Sequence, residues 1–403
     1  MTPESETRMR DLLSSVDLPA SRITAAGLVR EGVRIRRRRR QWLTTGFAGL
    51  ATLGLGAAVA VASLPGGLAD PAPGLSPQVG ASATAAPVAC AVQRLPLPAG
   101  ATAGEVTAGS PNGQYLAGVV IEKDNPGKPV RWAGARAESI PVAGTGEAAA
   151  VNDSGVVVGE GQTADRRHYA WAYAGGEVIE LPVPSGYTGA EATSVNAGGQ
   201  VAGVLFDGDR AAAVVWQAPT ATARVDVLDA PGGAMAFGIS DSGVVVGGLH
   251  NGSAAYRWNA QGLGSKLAMP AGSAGGAAHG IRGDWAYGLL TKDGQPPTGD
   301  PTAGTPTVVD WNVAVVWDLR TGRASLVDGG RVGAVNARGW VVLYHPDRTA
   351  AIREVDGTLR ALPGLTPQGT AYATALSDDG ARAAGASAEV PVSWFCAPGK
   401  ATR

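Results

Sequence analysis

The chain has 403 residues, 45% of them hydrophobic and only two of them cysteine, so it can bury a large core and is neither low-complexity nor a small domain held together by disulfides. Its net charge of −1 hides an uneven distribution. Residues 1–41 carry ten Lys or Arg against five Asp or Glu, whereas the remainder carries 23 against 29. We infer that the two parts face different surroundings.

Residues 1–41 are predicted to form a cytoplasmic basic tail with two short amphipathic helices, neither long enough to be stable alone. The stretch RDLLSSVD…PASRITAAGLVREGVRIRRRRR resembles the N-terminal segments of actinobacterial membrane proteins encoded beside extracytoplasmic-function sigma factors. The resemblance implies docking on a cytoplasmic regulator such as a sigma factor. The His-x3-Cys-x2-Cys zinc motif of many anti-sigma domains is absent, and a flexible juxtamembrane tail is the alternative. The apolar docking anchors would be Leu12, Leu13, Ile23 and Val29.

A basic run precedes a charge-free segment. The run consists of Arg36, Arg37, Arg38, Arg39 and Arg40. Residues 43–64 carry no charge, and these 22 residues would span about 33 Å as a helix, enough for a bilayer core. We therefore predict a transmembrane helix over 42–64, a single membrane span with the N-terminus in the cytoplasm, and no nucleic-acid partner for the arginines. A signal peptide cleaved near Ala62 is the alternative.

Residues 65–89 are rich in Pro, Ala, Gly and Ser and are predicted to be a flexible linker. Fully stretched, such a linker could hold the following domain up to roughly 75 Å from the bilayer.

A turn motif then recurs seven times. The copies are Ser110–Gly113, Asn152–Gly155, Asn196–Gly199, Ser240–Gly243, Ile281–Asp284, Asn336–Gly339 and Ser377–Gly380. Their spacings of 42, 44, 44, 41, 55 and 41 residues, with β-type residues throughout, are typical of propeller blades. We therefore predict an all-β, seven-bladed β-propeller over 90–403.

Each copy carries the signals of a four-stranded blade. Asn or Ser opens the turn, Gly supplies its positive φ, and an apolar β-branched strand follows. The third strand of six copies contains a tryptophan, and Arg353 replaces it in the sixth copy. These tryptophans are Trp132, Trp171, Trp216, Trp258, Trp317 and Trp394. The first strands are rich in small residues, which predicts a narrow central axis.

The core pattern A-x-x-V/I-N/S-x-x-G-x-V-V-G followed by A-x-x-W resembles the HAF-repeat family of bacterial extracytoplasmic proteins over roughly residues 105–396. The resemblance implies a propeller outside the cell membrane and no defined chemistry.

The two cysteines lie at the ends of the repeat region. The last copy lacks its fourth strand, and VQRLPLP before the first copy matches the fourth-strand pattern LRALP. Superposing Leu95 on Leu362 and Trp394 on Arg353 brings Cys90 and Cys396 to either side of one hairpin. We therefore predict a disulfide between Cys90 and Cys396, which an extracytoplasmic location permits.

Catalytic signals are scarce. Three histidines, His168, His250 and His345, are predicted in loops on one face, but in blades two, four and six, too far apart to share a metal ion. Asp207, Asp209, Asp293 and Asp347 fall on the same rim, where solvated turn acids explain them. Residues 293–310 form an extra loop on that face in the fifth copy. No catalytic, cofactor or metal motif is found.

The sequence therefore predicts a non-enzymatic binding or sensing module outside the membrane, with an unknown ligand and a cytoplasmic regulator as its partner. The alternatives are a cell-envelope enzyme acting on a glycan and a structural adhesion domain. Two convergent carboxylates in a pocket would favour the enzyme.

Overall fold

The computed structural model describes residues 90–122, 125–208, 210–292, 312–328, 330–345 and 347–397. Four predicted segments lie outside these residues. They are the span 42–64, the linker 65–89, the loop 293–310 and the tail with Leu12, Leu13, Ile23, Val29 and Arg36 to Arg40. No helix in the described ranges is long and apolar enough to cross a membrane.

Seven four-stranded antiparallel sheets, the blades, make up the described chain. Blades 1 to 3 comprise β2 Ala101–Gly109, β3 Tyr115–Glu122, β4 Asn125–Ala133, β5 Arg136–Ser139, β6 Thr145–Val151, β7 Val157–Gln162, β8 His168–Ala174, β9 Glu177–Glu180, β10 Gly189–Val195, β11 Val201–Asp207, β12 Arg210–Trp216 and β13 Val225–Leu228. Blades 4 and 5 comprise β14 Ala234–Ile239, β15 Val245–Leu249, β16 Ala255–Trp258, β17 Gly264–Lys266, β18 Ser273–Arg282, β19 Trp285–Lys292, β20 Asn312–Asp318 and β21 Arg323–Val327.

Blades 6 and 7 complete the ring. They comprise β22 Arg331–Val335, β23 Val341–Tyr344, β24 Ala350–Arg353, β25 Leu359–Leu362, β26 Tyr372–Leu376, β27 Arg382–Ser387, β28 Val390–Phe395 and, from the other end of the domain, β1 Ala91–Arg94. The predicted seven-bladed propeller is thus confirmed, and the blades with the unusual fifth turn and with Arg353 also have four strands.

The seventh blade is closed by the N-terminal strand. β1 pairs with β28 in the register Val92↔Trp394, which matches Leu359↔Arg353 in the sixth blade. A disulfide joins Cys90 to Cys396 just beyond this pairing, in agreement with the expected pair, and the two residues are 306 positions apart. The bond therefore fastens the two ends of the ring to each other.

The core lies between neighbouring blades. One cluster, for example, combines Val158 of β7, Ala190 of β10 and Trp216 of β12. The six repeat tryptophans are all buried, and five donate from Nε1, at 2.7–2.8 Å, to a carbonyl that follows the fourth strand of the preceding blade. The tryptophans therefore pack and hydrogen-bond between sheets.

Trp171 departs from this pattern. Its Nε1 is buried and has no hydrogen-bond partner among the described residues. In the corresponding segment of the preceding blade, Val142 N donates to Ile140 O at 2.9 Å, so the local backbone turns differently.

Each inner strand carries a bulge at the same level. The bulge residues are Thr107, Ala149, Thr193, Phe237, His279, Gly333 and Thr374. Thr107 Oγ1 donates to Ala148 O of the next blade at 2.6 Å, and Thr374 Oγ1 donates to Val106 O at 2.7 Å across the closure. A Cβ added at Gly333 would lie 2.2 Å from Ala373 O of the next blade. The inner strands are therefore as crowded as their small residues predict.

The turn asparagines link successive blades. Asn152 Nδ2 donates to Asn196 O at 3.0 Å, Asn196 Nδ2 donates to Ser240 O at 3.0 Å, and Asn336 Nδ2 donates to Ser377 O at 3.1 Å. Each asparagine also accepts hydrogen bonds within its own turn, so one side chain satisfies two blades.

Candidate functional site

The two ends of the central axis differ. We call the end with the turns between first and second strands the turn face, and the end with the loops between second and third strands the loop face. Connections between blades lie on the loop face because every first strand begins there.

Arg282 closes the turn face across three blades. Its guanidinium donates from Nη1 to Asp241 of the fourth blade at 2.7 Å and from Nη2 to Asp378 of the seventh blade at 2.7 Å. Burial lowers the pKa of Arg282, but the hydrogen bonds and charges of Asp378 and Asp241 outweigh it, so the net pKa is raised. A charged side chain thus links the turn ends of blades 4, 5 and 7.

The position of Arg282 follows from a shorter turn. Arg282 pairs with Trp285, so only Gly283 and Asp284 connect β18 and β19, and Gly283 has a φ of 56°. Alignment of the seven copies places Asp284 where the others have glycine, but the structure gives the positive φ to Gly283. The hairpin of blade 5 is one residue shorter than those of blades 2, 3, 4 and 6 and two residues shorter than those of blades 1 and 7.

The loop face carries a ring of residues two positions before each bulge. In blade order they are Glu105, Glu147, Glu191, Met235, Ala277, Arg331 and Tyr372. The charged members and Tyr372 are half-buried. Within this set, negative charge is confined to blades 1 to 3, and the positive charge lies in blade 6. We call this set the loop-face ring.

The basic side of the ring is also aromatic. The rings of Tyr344 and Tyr372 lie 4.5 Å apart between centroids, and burial, the neighbouring Tyr372 and its hydrogen bond raise the pKa of Tyr344 well above its usual value, while Arg331 opposes the shift. Burial, with a smaller contribution from Tyr372, likewise raises the pKa of Tyr287, whose hydroxyl donates to Gly333 O at 3.0 Å. Tyr344 and Tyr287 therefore stay protonated and act as neutral hydrogen-bonding groups.

His279 lies beside this cluster. It is half-buried as a residue, but its Nε2 is buried and has no hydrogen-bond partner among the described residues. Burial, with a smaller contribution from the charge of Arg331, lowers the pKa of His279 from 6.5 to about 4. Its ring meets Phe237 edge to face, with the centroids 5.9 Å apart. His279 is therefore a neutral, packed histidine at neutral pH.

The acidic side of the ring contains a mixed donor cluster. One ligand atom each from Glu160, His168 and Glu191 lies within 4.8 Å of the other two. Glu160 and His168 stand on neighbouring strands of the second blade, and Glu191 stands on the inner strand of the third. Gln162 Nε2 lies 2.8 Å from His168 Nε2 and so orients the imidazole. Two carboxylates and an imidazole suit a divalent cation.

The predicted rim residues are only partly brought together. His250 and His345 lie in loops on the loop face, as expected, whereas His168 is the first residue of β8, so the three histidines lie at the same end of three different blades. Asp207 forms an ion pair with Arg210, and Asp347 caps its own turn by accepting from Thr349 N at 3.0 Å. Asp209 and Asp293 lie outside the described residues.

Sequence reasoning missed the cluster because it compared histidines only with one another. A signal was present for Glu191 alone, which shares its position with Glu105 and Glu147 in three successive first strands that are otherwise made of small and apolar residues. A repeated charge at a crowded position indicates a shared polar site.

Comparison with known proteins gives the fold and nothing closer. No protein-family model matches the chain. No curated protein matches it either. Among solved structures, a catalytically inactive variant of virginiamycin B lyase from Staphylococcus aureus with quinupristin is 11% identical, with a TM-score of 0.51 over 76% of this chain and 99% of the lyase. A streptogramin B lyase structure is 11% identical, with a TM-score of 0.50 over 76% of this chain and 98% of that one. At this identity, the similarity shows a shared propeller architecture.

Proposed function

We propose that this chain is a membrane-anchored extracytoplasmic propeller that binds a small ligand at its loop face and acts as a sensing module without altering the ligand chemically. The observation that carries the proposal is the division of the loop-face ring. Glu105, Glu147 and Glu191 lie on three consecutive inner strands, whereas Arg331 and Tyr372 lie on the other side.

This division selects a class of ligand. An ammonium group is favoured beside the three carboxylates, and a carboxylate or hydroxyl group is favoured beside the guanidinium and the tyrosine hydroxyls. The paired rings of Tyr344 and Tyr372 add an apolar surface. A small zwitterionic molecule, such as a short peptide or a peptide-bearing cell-wall fragment, fits both sides. The Arg282 bridge at the turn face leaves the loop face as the end from which it enters.

The remainder of the proposal concerns the chain before residue 90. The span 42–64 would anchor the propeller with its N-terminus in the cytoplasm, and the tail 1–41 would bind a cytoplasmic regulator such as a sigma factor through Leu12, Leu13, Ile23 and Val29. The repeat pattern supports membership of the HAF-repeat family.

An enzyme acting on a glycan is the second candidate, because Glu160 and Glu191 converge, with one oxygen of each within 4.8 Å of the other and of a His168 ring nitrogen. The imidazole beside the two carboxylates favours ion binding over the two-carboxylate pair of a glycosidase. Lyase activity is not part of the proposal, since the lyase comparisons show the fold alone.

The test is a ligand screen that measures both binding and conversion. The purified full-length chain is incubated with amino acids, di- and tripeptides and soluble peptidoglycan fragments. Binding is measured as a change in the melting temperature of the chain. Conversion is measured by mass spectrometry of each compound after incubation. We expect at least one zwitterionic compound to raise the melting temperature and to be recovered unchanged.

Matched variants locate the site. Arg331→Gln should remove the ligand-induced shift, whereas Arg320→Gln, an exposed arginine on the turn face, should keep it. A converted compound would contradict the non-enzymatic proposal. A shift that survives Arg331→Gln, or no shift with any compound, would contradict the site.

A further inference from the structure

The acidic seam between the second and third blades has the composition of a metal site. Two carboxylates and one imidazole are contributed by Glu160, His168 and Glu191, and their ligand atoms all lie within 4.8 Å of one another. We infer that these three side chains bind a divalent transition-metal ion of the Zn²⁺ or Mn²⁺ type.

The distances suit this class of ion. Ligands bound at about 2.0–2.2 Å to one ion are at most about 4.4 Å apart. The ligand atoms of the cluster lie within 4.8 Å of one another, and this bound exceeds the maximum of about 4.4 Å by a few tenths of an ångström. Small rotations of the flexible glutamate side chains close such a gap, and all three residues already sit on strands of the rigid blades. The site therefore needs side-chain adjustment and no change in the backbone.

The donor set selects the type of ion. Imidazole nitrogen is a preferred ligand for first-row transition metals, whereas Ca²⁺ and Mg²⁺ take oxygen ligands almost exclusively. Both cysteines of the chain are joined in the Cys90–Cys396 disulfide, so no thiolate competes for the ion. Three protein ligands leave at least one coordination position for water or for a ligand group, as in open metal sites.

The neighbours of the cluster support the same inference. Gln162 Nε2 lies 2.8 Å from His168 Nε2. The side chain of Gln162 can present its amide nitrogen to the imidazole or, after rotation, its amide oxygen. Gln162 can therefore orient the imidazole when His168 binds a metal ion. Glu147 stands directly opposite Glu160 on the neighbouring strand, so a further carboxylate adds negative charge beside the seam.

The test measures metal binding without any organic ligand, so it stands or fails independently of the proposed function. The full-length chain, purified in detergent and stripped with chelator, is dialysed against Zn²⁺, Mn²⁺ or Co²⁺. Bound metal is counted by elemental analysis, and the Co²⁺ form is examined by visible absorption. We expect one ion per chain and d–d bands typical of nitrogen and oxygen ligands.

The variants separate a built site from adventitious binding. Glu191→Gln and Glu160→Gln change different blades, and each should weaken binding by at least about 100-fold, more than the 10- to 100-fold typical of outer-shell partners. His345→Ala and Glu177→Gln remove the same chemical groups elsewhere and should bind as the unaltered chain does. Circular dichroism shows which variants remain folded.

Two results would overturn the inference. One is the absence of stoichiometric metal in the unaltered chain. The other is equal affinity in the cluster variants and the control variants, which would mean an adventitious ion only. If one cluster variant fails to fold, the other still decides, because the two glutamates belong to separate blades.

Discussion

At the residue scale, the sequence predicts what a side chain does for its own turn better than what it does for its neighbours. The Asn and Gly of Asn152–Gly155 predict the turn, and Gly155 indeed has a φ of 76°. The same pattern does not reveal that Asn152 Nδ2 donates to Asn196 O of the next blade. That bond depends on the angle between two sheets, which no local pattern encodes.

His279 gives a prediction at this scale. Its pKa is about 4 in the folded chain, against 6.5 for a solvated histidine, so between these values the unfolded state binds more protons. Stability linked to His279 is therefore full above about pH 6.5 and is lost as the pH falls toward 4. Between pH 7.5 and pH 5 the loss should be about 2 kcal/mol in the free energy of unfolding.

The measurement is urea unfolding of the full-length chain and of His279→Gln at both pH values. Glutamine does not titrate, so the variant should lose about 2 kcal/mol less than the unaltered chain over this interval. Equal pH dependence of the two proteins would show that His279 is already accessible to protons in the folded state.

At the element scale, the four-stranded blade was predictable because its signals are local and repeat seven times. The strand pattern, the tryptophan and the turn all recur within about 40 residues, as is typical of propellers. The fifth blade shows where such alignment fails: Gly283 and Asp284 form a shorter turn, and Arg282 then reaches Asp241 and Asp378. An aligned motif gives the strand order but not the length of each turn.

The disulfide gives a prediction for β1, the strand that closes the ring. Cys90→Ala should lower the free energy of unfolding by about 2–5 kcal/mol, because the crosslink restricts a long unfolded loop. The double variant, Cys90→Ala with Cys396→Ala, should lose little further stability. Its free energy of unfolding should lie below that of Cys90→Ala by no more than the contribution of one buried cysteine. Chemical unfolding and non-reducing mass mapping check both statements. Free thiols in the unaltered chain, or an unchanged free energy of unfolding in Cys90→Ala, would contradict them.

At the scale of the whole molecule, ring closure was predictable and the candidate site was not. Closure follows from a missing last strand and a matching first one, both visible in the sequence. The cluster of Glu160, His168 and Glu191 combines two blades, and its residues come together because β10 of the third blade packs against β7 and β8 of the second. The sequence places the histidines on the correct face, but its rim carboxylates are Asp207, Asp209, Asp293 and Asp347, and neither Glu160 nor Glu191 is among them.

The membrane topology is the prediction that decides whether the propeller can signal. Arg36 to Arg40 should hold the N-terminal end of the span 42–64 in the cytoplasm, because cationic residues are retained on that side. Reporter fusions after Arg40 and after Ala89 should then report cytoplasm and exterior, respectively. Replacing the five arginines with glutamine should weaken this orientation, whereas replacing Arg8 and Arg10, far from the span, should not. A shortened, soluble, exported product would instead show cleavage near Ala62, and a propeller released in this way could bind its ligand but could not pass a signal to the tail.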